Sequence, residues 1–162
     1  MLCCKQALPS MIRRKKGKII NFSGGGATFP RPCFSAYASS KAAIVRFGET
    51  LSREVREFKI DINTVSPGPV YTRMFREIIE AGKNAGTDYI DAVKVKEESK
   101  KNAEYSARLA LFLAGKESDG ITGRLISSLW DDWSKLSKLL KKKPGSSLFT
   151  LRRIDNRSFS EK

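Results

Sequence analysis

Tyr37-Ala38-Ser39-Ser40-Lys41 sets a phenol and an ammonium four residues apart. On a helix that spacing stacks both groups on one face, with a rise of about 6 Å between them. An ammonium beside a phenol favours the phenolate and draws a tyrosine down from its unperturbed pKa of about 10. A tyrosine so placed is a general acid/base for interconverting an alcohol and a carbonyl. Such pairs also occur by chance on many helices, so the surrounding elements decide what this one means.

The pair opens a segment running from Ser35 to about Phe58, rich in Ala, Glu, Arg and Leu. Ile44, Phe47, Leu51 and Val55 recur there at three- and four-residue steps, which predicts a helix. Ahead of it, Lys18 to Ser23 is a short β-branched run ended by Gly24-Gly25-Gly26, which predicts a buried parallel strand. Residues 27–35, with Pro30 and Pro32, read as a loop. The opening stretch has apolar residues at helical spacing to about Arg14, then Arg13-Arg14-Lys15-Lys16, with Gly17 as the expected stop.

Downstream, Ile60 to Val65 predicts a second strand, halted by Pro67-Gly68-Pro69. Residues 73–101 are polar and charged, as in one or two mobile helices. Asn102 to Ala114 predicts an amphipathic helix with Tyr105, Leu109 and Phe112 on one stripe, and Gly120-Ile121-Thr122-Gly123 turns into a third strand, Arg124 to Ser127. Helices alternating with strands predict an α/β fold with a parallel sheet and right-handed crossovers.

Composition removes several chemistries. The chain has no histidine, which excludes Ser-His-Asp triads, Cys-His dyads and His-based metal sites. Cys3, Cys4 and Cys33 have no metal-ligand spacing and read as small buried apolar residues, so no metal site is expected. The glycine run lacks the G-x-x-x-x-G-K-[ST] pattern of a phosphate loop, and no helix follows it at once.

The net charge of +14 sits at the two ends: residues 1–18 carry six basic groups, and residues 134–162 carry nine basic against two acidic. Residues 19–133 are nearly balanced, with 16 basic and 15 acidic groups, so a nucleic-acid surface is not expected. Lys141-Lys142-Lys143 beside Pro144-Gly145-Ser146-Ser147 reads as a solvated loop. No apolar run approaches the ~20 residues of a membrane-spanning helix. A cytoplasmic protein is the expectation, with one folded unit over 1–133 and a basic C-terminal extension over 134–162.

The Tyr37–Lys41 pair after an Ile-Ile-Asn-Phe-Ser strand, then Ser66-Pro67-Gly68-Pro69-Val70-Tyr71-Thr72, then Gly120-Ile121-Thr122-Gly123, in this order and spacing, resembles the short-chain dehydrogenase/reductase family. The resemblance covers roughly residues 1–133, starting near the end of that family's fourth helix. It implies part of a Rossmann-like, doubly wound parallel sheet of about three strands with flanking helices, its N-terminal half missing. It also implies an NAD(P)-dependent oxidoreductase acting on a small-molecule alcohol or ketone, with NAD or NADP as cofactor.

Carried over by position, Tyr37 matches the family's catalytic acid/base, and Lys41 the residue that holds the nicotinamide ribose and lowers the tyrosine pKa. Pro67, Gly68, Val70 and Thr72 match the loop at the nicotinamide end of the cofactor. Residues 73–101 match the lid over the substrate, and helix 36–58 the surface through which subunits often associate. Trp130 and Trp133 read as structural or interface residues.

Two departures stand out. Counting back from Tyr37, the family's catalytic serine falls on Gly24, and Ser23 stands one place early. Neighbouring strand residues point to opposite faces, so Ser23 substitutes only if the glycine run re-aims the chain. Ser35 is another hydroxyl nearby, and a backbone amide of the glycine loop is a third candidate. The glycine-rich pyrophosphate turn and the family's helix-four asparagine have no counterpart in the sequence. The expectation is a chain truncated at its N-terminus, of marginal stability, inactive alone and without strong cofactor binding. The alternative is a non-enzymatic product, inert or docking onto full-length subunits.

Overall fold

A computed structural model describes residues 1–142 and 145–153. Three strands, β1 (Gly17–Phe22), β2 (Ile60–Ser66) and β3 (Arg124–Ser127), form one parallel sheet in the order β1-β2-β3. The helices are α1 (Leu2–Arg14), α2 (Ser35–Glu54), α3 (Arg73–Ala81), α4 (Thr87–Lys94), α5 (Lys96–Ala114) and α6 (Leu136–Lys142). The expected α/β fold with a three-stranded parallel sheet and flanking helices is therefore present.

β2 is the axis of the sheet, with Ile60 to Val65 all buried. β1 pairs with it from Gly17↔Ile60 to Phe22↔Val65, and β3 from Asn63↔Arg124 to Ser66↔Ser127. β1 is not the buried strand its apolar run predicts. It forms an edge of the sheet, partly exposed along its length, with Phe22 47% exposed. An apolar run does not distinguish a central strand from an edge.

Two apolar clusters hold the sheet. Val65, Leu109, Leu113, Ile121, Ile126 and Leu136 pack together around β2, β3 and α5. Cys4, Leu51, Val55, Ile60 and Ile62 pack where α1 and α2 meet β2. Across β1 and β2, Lys18 Nζ reaches Asp61 Oδ2 at 2.8 Å in a mostly buried ion pair. Gly120 N donates to the same carboxylate oxygen at 3.1 Å, so this pair also pins the turn before β3.

Several boundaries differ from the sequence reading. Lys15, not Gly17, is the left-handed stop of α1 (φ 48°). Gly17 opens β1, where a Cβ would run into the Met11 side chain as α1 packs close. α2 ends at Glu54, and a tight turn over Arg56–Phe58 follows. α5 begins at Lys96 rather than Asn102, and its buried face is Ser99, Asn102, Ser106, Leu109 and Leu113. Tyr105 is 49% exposed, so the expected stripe of Tyr105, Leu109 and Phe112 is not the packed one.

Of the cysteines only Cys4 is buried; Cys3 and Cys33 are exposed. Trp133 packs against Phe112 with ring centroids 5.3 Å apart, while Trp130 is 72% exposed.

The segment after residue 133 meets the core. Leu136 is 1% exposed inside the β2–β3–α5 cluster. Lys141 and Lys142 belong to α6 rather than a loop, because the apolar side of that helix packs inward; Lys143 and Pro144 lie outside the described residues, as do residues 154–162. Residues 146–152 run beside β3, where Leu125 N donates to Phe149 O at 2.7 Å and Arg46 Nη2 to Leu151 O at 2.7 Å.

Candidate active site

β1 and β2 are parallel neighbours, so the loops leaving their C-terminal ends emerge on one edge of the sheet. That edge is where open α/β sheets place ligands. Ser23 N donates to Val65 O at 2.9 Å, which extends the pairing right up to the glycine run. Gly26 has φ 89°, and a Cβ there would press on Ala38, so the glycine turn lies against the first turns of α2. This close approach requires glycine.

The contact aims Tyr37. Its hydroxyl occupies the space into which a Cβ on Gly24 would project. Gly24 thus faces the phenol and offers backbone alone. Lys41, one turn on, donates from Nζ to Phe22 O at 3.3 Å and lies 5.5 Å from the Tyr37 ring centroid. The end of β1 and the start of α2 therefore bring phenol and ammonium together, as their spacing predicts.

Ser23 is placed differently. It is 4% exposed, and its hydroxyl donates to the Lys41 backbone carbonyl at 3.3 Å. That bond ties the end of β1 to α2 below the pair. Ser35 is the exposed first residue of α2.

The second loop is carried by polar groups of α5. Asn102 Nδ2 donates to Pro69 O at 2.6 Å, and Ser106 Oγ lies 3.4 Å from Pro67 O. Tyr71 N donates to Ser99 O at 3.2 Å. Ser106 also meets Ser128 Oγ at 3.1 Å, and Ser128 N bonds Ser66 O at 3.0 Å. Gly68 turns at φ 69°, with Leu129 packed so closely that a Cβ would collide with it. Val70 is half-buried, and Thr72 caps α3 by accepting from Phe75 N at 3.4 Å. Pro67, Gly68, Val70 and Thr72 thus share the C-terminal edge of the sheet with Tyr37 and Lys41.

Ser99, Asn102 and Ser106 were not among the expected site residues. Their one sequence signal is a polar stripe at three- and four-residue steps, which on a surface helix reads as solvent-facing. Arg31 was also missed. Its guanidinium carbon lies 5.2 Å from the Tyr37 ring centroid and 4.3 Å from that of Phe34, and the group pairs with Asp88.

Residues 1–83 match the family model described as short chain dehydrogenase. A "Short-chain type dehydrogenase/reductase" from Picea abies is 33% identical over 125 residues, covering 77% of this chain and 45% of that protein. A gluconate 5-dehydrogenase from Burkholderia cenocepacia, solved in complex with NADP and tartrate, superposes with a TM-score of 0.63 at 22% identity, covering 76% of this chain and 48% of the other. A Brucella melitensis 3-oxoacyl-[acyl-carrier protein] reductase with bound NAD gives 0.53 at 24% identity, over 77% and 44% of the two chains.

Those two superpositions speak for the fold alone, and this chain spans about half the length of the relatives it matches. The model match is the stronger finding, because its span contains both loops that meet at the C-terminal edge of the sheet. This chain belongs to the short-chain dehydrogenase/reductase family.

Proposed function

We propose that this chain carries the proton-exchanging part of an NAD(P)-dependent oxidoreductase that interconverts small-molecule alcohols and carbonyls. The observation that carries the reading is the phenol of Tyr37 set against bare backbone at Gly24, with the Lys41 ammonium beside it. A cofactor would supply the hydride. Tyr37 Oη would give its proton to the carbonyl oxygen of the substrate or take it from the alcohol. Lys41 Nζ would hold the nicotinamide ribose.

The residues present fit the nicotinamide end of such a cofactor. Pro67, Gly68, Val70 and Thr72 follow β2 at the same C-terminal edge of the sheet as Tyr37 and Lys41, and would line that end. The same residues do not make a pyrophosphate site, because the glycine run leads into the loop before α2 and not directly into a helix. With no hydroxyl at position 24, a backbone amide of the glycine turn would steady the substrate oxygen. Ser23 is committed to the Lys41 carbonyl.

In this reading residues 1–133 form the family unit, residues 134–162 are an extension to it, and the rest of the dinucleotide site lies on strands beyond β1. The partly exposed edge of β1 supports that view. The same edge favours the second reading, in which the chain docks onto a longer subunit.

A chimera tests this, with the part of the Picea abies relative that this chain does not match joined ahead of it. It is expected to oxidise NADPH or NADH in the presence of a ketone, whereas the chain alone is expected to bind neither cofactor at about 1 μM. Micromolar binding by the chain alone would refute the reading of an incomplete site. A folded chimera with no turnover on a broad panel of ketones would favour the docking role.

A further inference from the structure

The loop between the glycine turn and α2 contains a mostly buried charge that the proposed reaction does not use. Arg31 keeps 14% of its side chain exposed and Asp88, on α4, keeps 20%. Nε and Nη2 of Arg31 both approach Asp88 Oδ1, at 2.7 and 2.6 Å. The guanidinium also lies near Phe34 and Tyr37, 4.3 and 5.2 Å from their ring centroids. A planar guanidinium suits this double use, since its edge takes the carboxylate while its face meets the rings.

α4 has few other ties to this loop. Phe34 packs against the small cluster of Phe75, Ile78, Ala85 and Ala92 that α3 and α4 share. Gly86, ahead of α4, lies close to the Cys33 thiol. The Arg31–Asp88 pair is the charged contact, and it joins residues 57 apart in the chain.

We propose that Arg31 is a positioning residue that couples the seating of α4 to the placement of the Tyr37 ring. While Asp88 holds the guanidinium, Arg31 lies against the Tyr37 ring; if α4 unseats and the carboxylate is withdrawn, a guanidinium without its counter-charge moves out to water. A mostly buried charge does not stay in place once its partner is gone. The seating of α4 and the alignment of the phenol are then one event, governed by one side chain. The importance of that alignment rests on Tyr37 being the acid/base of the proposed reaction, but the coupling itself is a property of this chain.

Two readouts without turnover test the coupling on the full chain, so its failure is separate from failure of the proposed activity. Amide hydrogen exchange is followed in α4 and α2, and the Tyr37 ring signals, assigned with Tyr37→Phe, are followed by NMR. Asp88→Asn is expected to speed exchange in α4 by at least about tenfold while α2 is unchanged, and to move the Tyr37 ring signals. Arg31→Met is expected to do the same. The double exchange Arg31→Asp with Asp88→Arg should restore protection in α4.

Unchanged protection of α4 in Asp88→Asn would overturn the coupling. So would ring signals that stay put when Asp88 is replaced, or exchange that rises equally in α2 and α4. Should Arg31→Met fail to fold, Asp88→Asn and the double exchange still decide the matter.

Discussion

Tyr37→Phe in the chimera is expected to lower kcat by about 10³-fold or more, with cofactor affinity within about twofold of the parent. The substitution removes one oxygen and leaves the ring. The phenyl ring would still lie against Gly24, and Lys41 Nζ would still have the Phe22 carbonyl to donate to. Nothing that shapes the glycine turn or α2 is lost. What disappears is the group proposed to exchange a proton with the substrate oxygen, and no histidine exists to take its place. General acid/base groups contribute about 10²–10⁴-fold, so a loss under tenfold would mean that another group moves the proton.

Lys18→Met is expected to cost about 2–3 kcal/mol of stability at pH 7, by leaving the Asp61 carboxylate without its cation. Lys18 and Asp61 face each other across the β1–β2 ladder, and both are mostly buried. Its second partner, Asp119, is exposed and keeps its water when the lysine is removed. Burial opposes the charge of the Lys18 ammonium, but its hydrogen bonds to Asp119 and Asp61 outweigh that and hold it above the ordinary lysine value of 10.5.

A group whose folded pKa is raised stabilises fully below its unfolded value and loses that contribution as pH climbs through the folded one. The difference between Lys18→Met and the parent should therefore be full at pH 7 and shrink above pH 10.5. Urea unfolding at the two pH values measures it. A constant difference would assign the cost to packing of the lysine stem.

Both predictions come from residues of different legibility. Tyr37 and Lys41 could be read from the chain because their relation is local: four residues on a helix share a face whatever the fold. The Pro67-Gly68 turn was legible for a similar reason, since it breaks a β-branched run. The α/β alternation and the three strands followed from runs of apolar residues between turn signals, and all three strands lie where those runs are.

What the sequence hid is tertiary. Asn102 and Ser106 read as the outer side of α5, yet they face inward to carry the Pro67 and Pro69 carbonyls. Hydropathy cannot separate a polar residue facing water from one facing a buried carbonyl. The Arg31–Asp88 pair joins a proline-rich loop to a helix 57 residues away, and no local rule connects them. β1 resembles β2 in composition, and only the order of the sheet makes one an edge and the other the centre. Ser23 shows the limit in the other direction: its type suits the chemistry, while its side of the strand directs it to the Lys41 carbonyl.

The most direct test of the proposed site is where the nicotinamide ring lies in the chimera. With NADPH or NADH bound, nuclear Overhauser contacts from the nicotinamide protons are measured to the Tyr37 ring and to Pro67 and Val70. Contacts to both groups are expected. Bound cofactor whose nicotinamide protons touch neither would contradict the assignment.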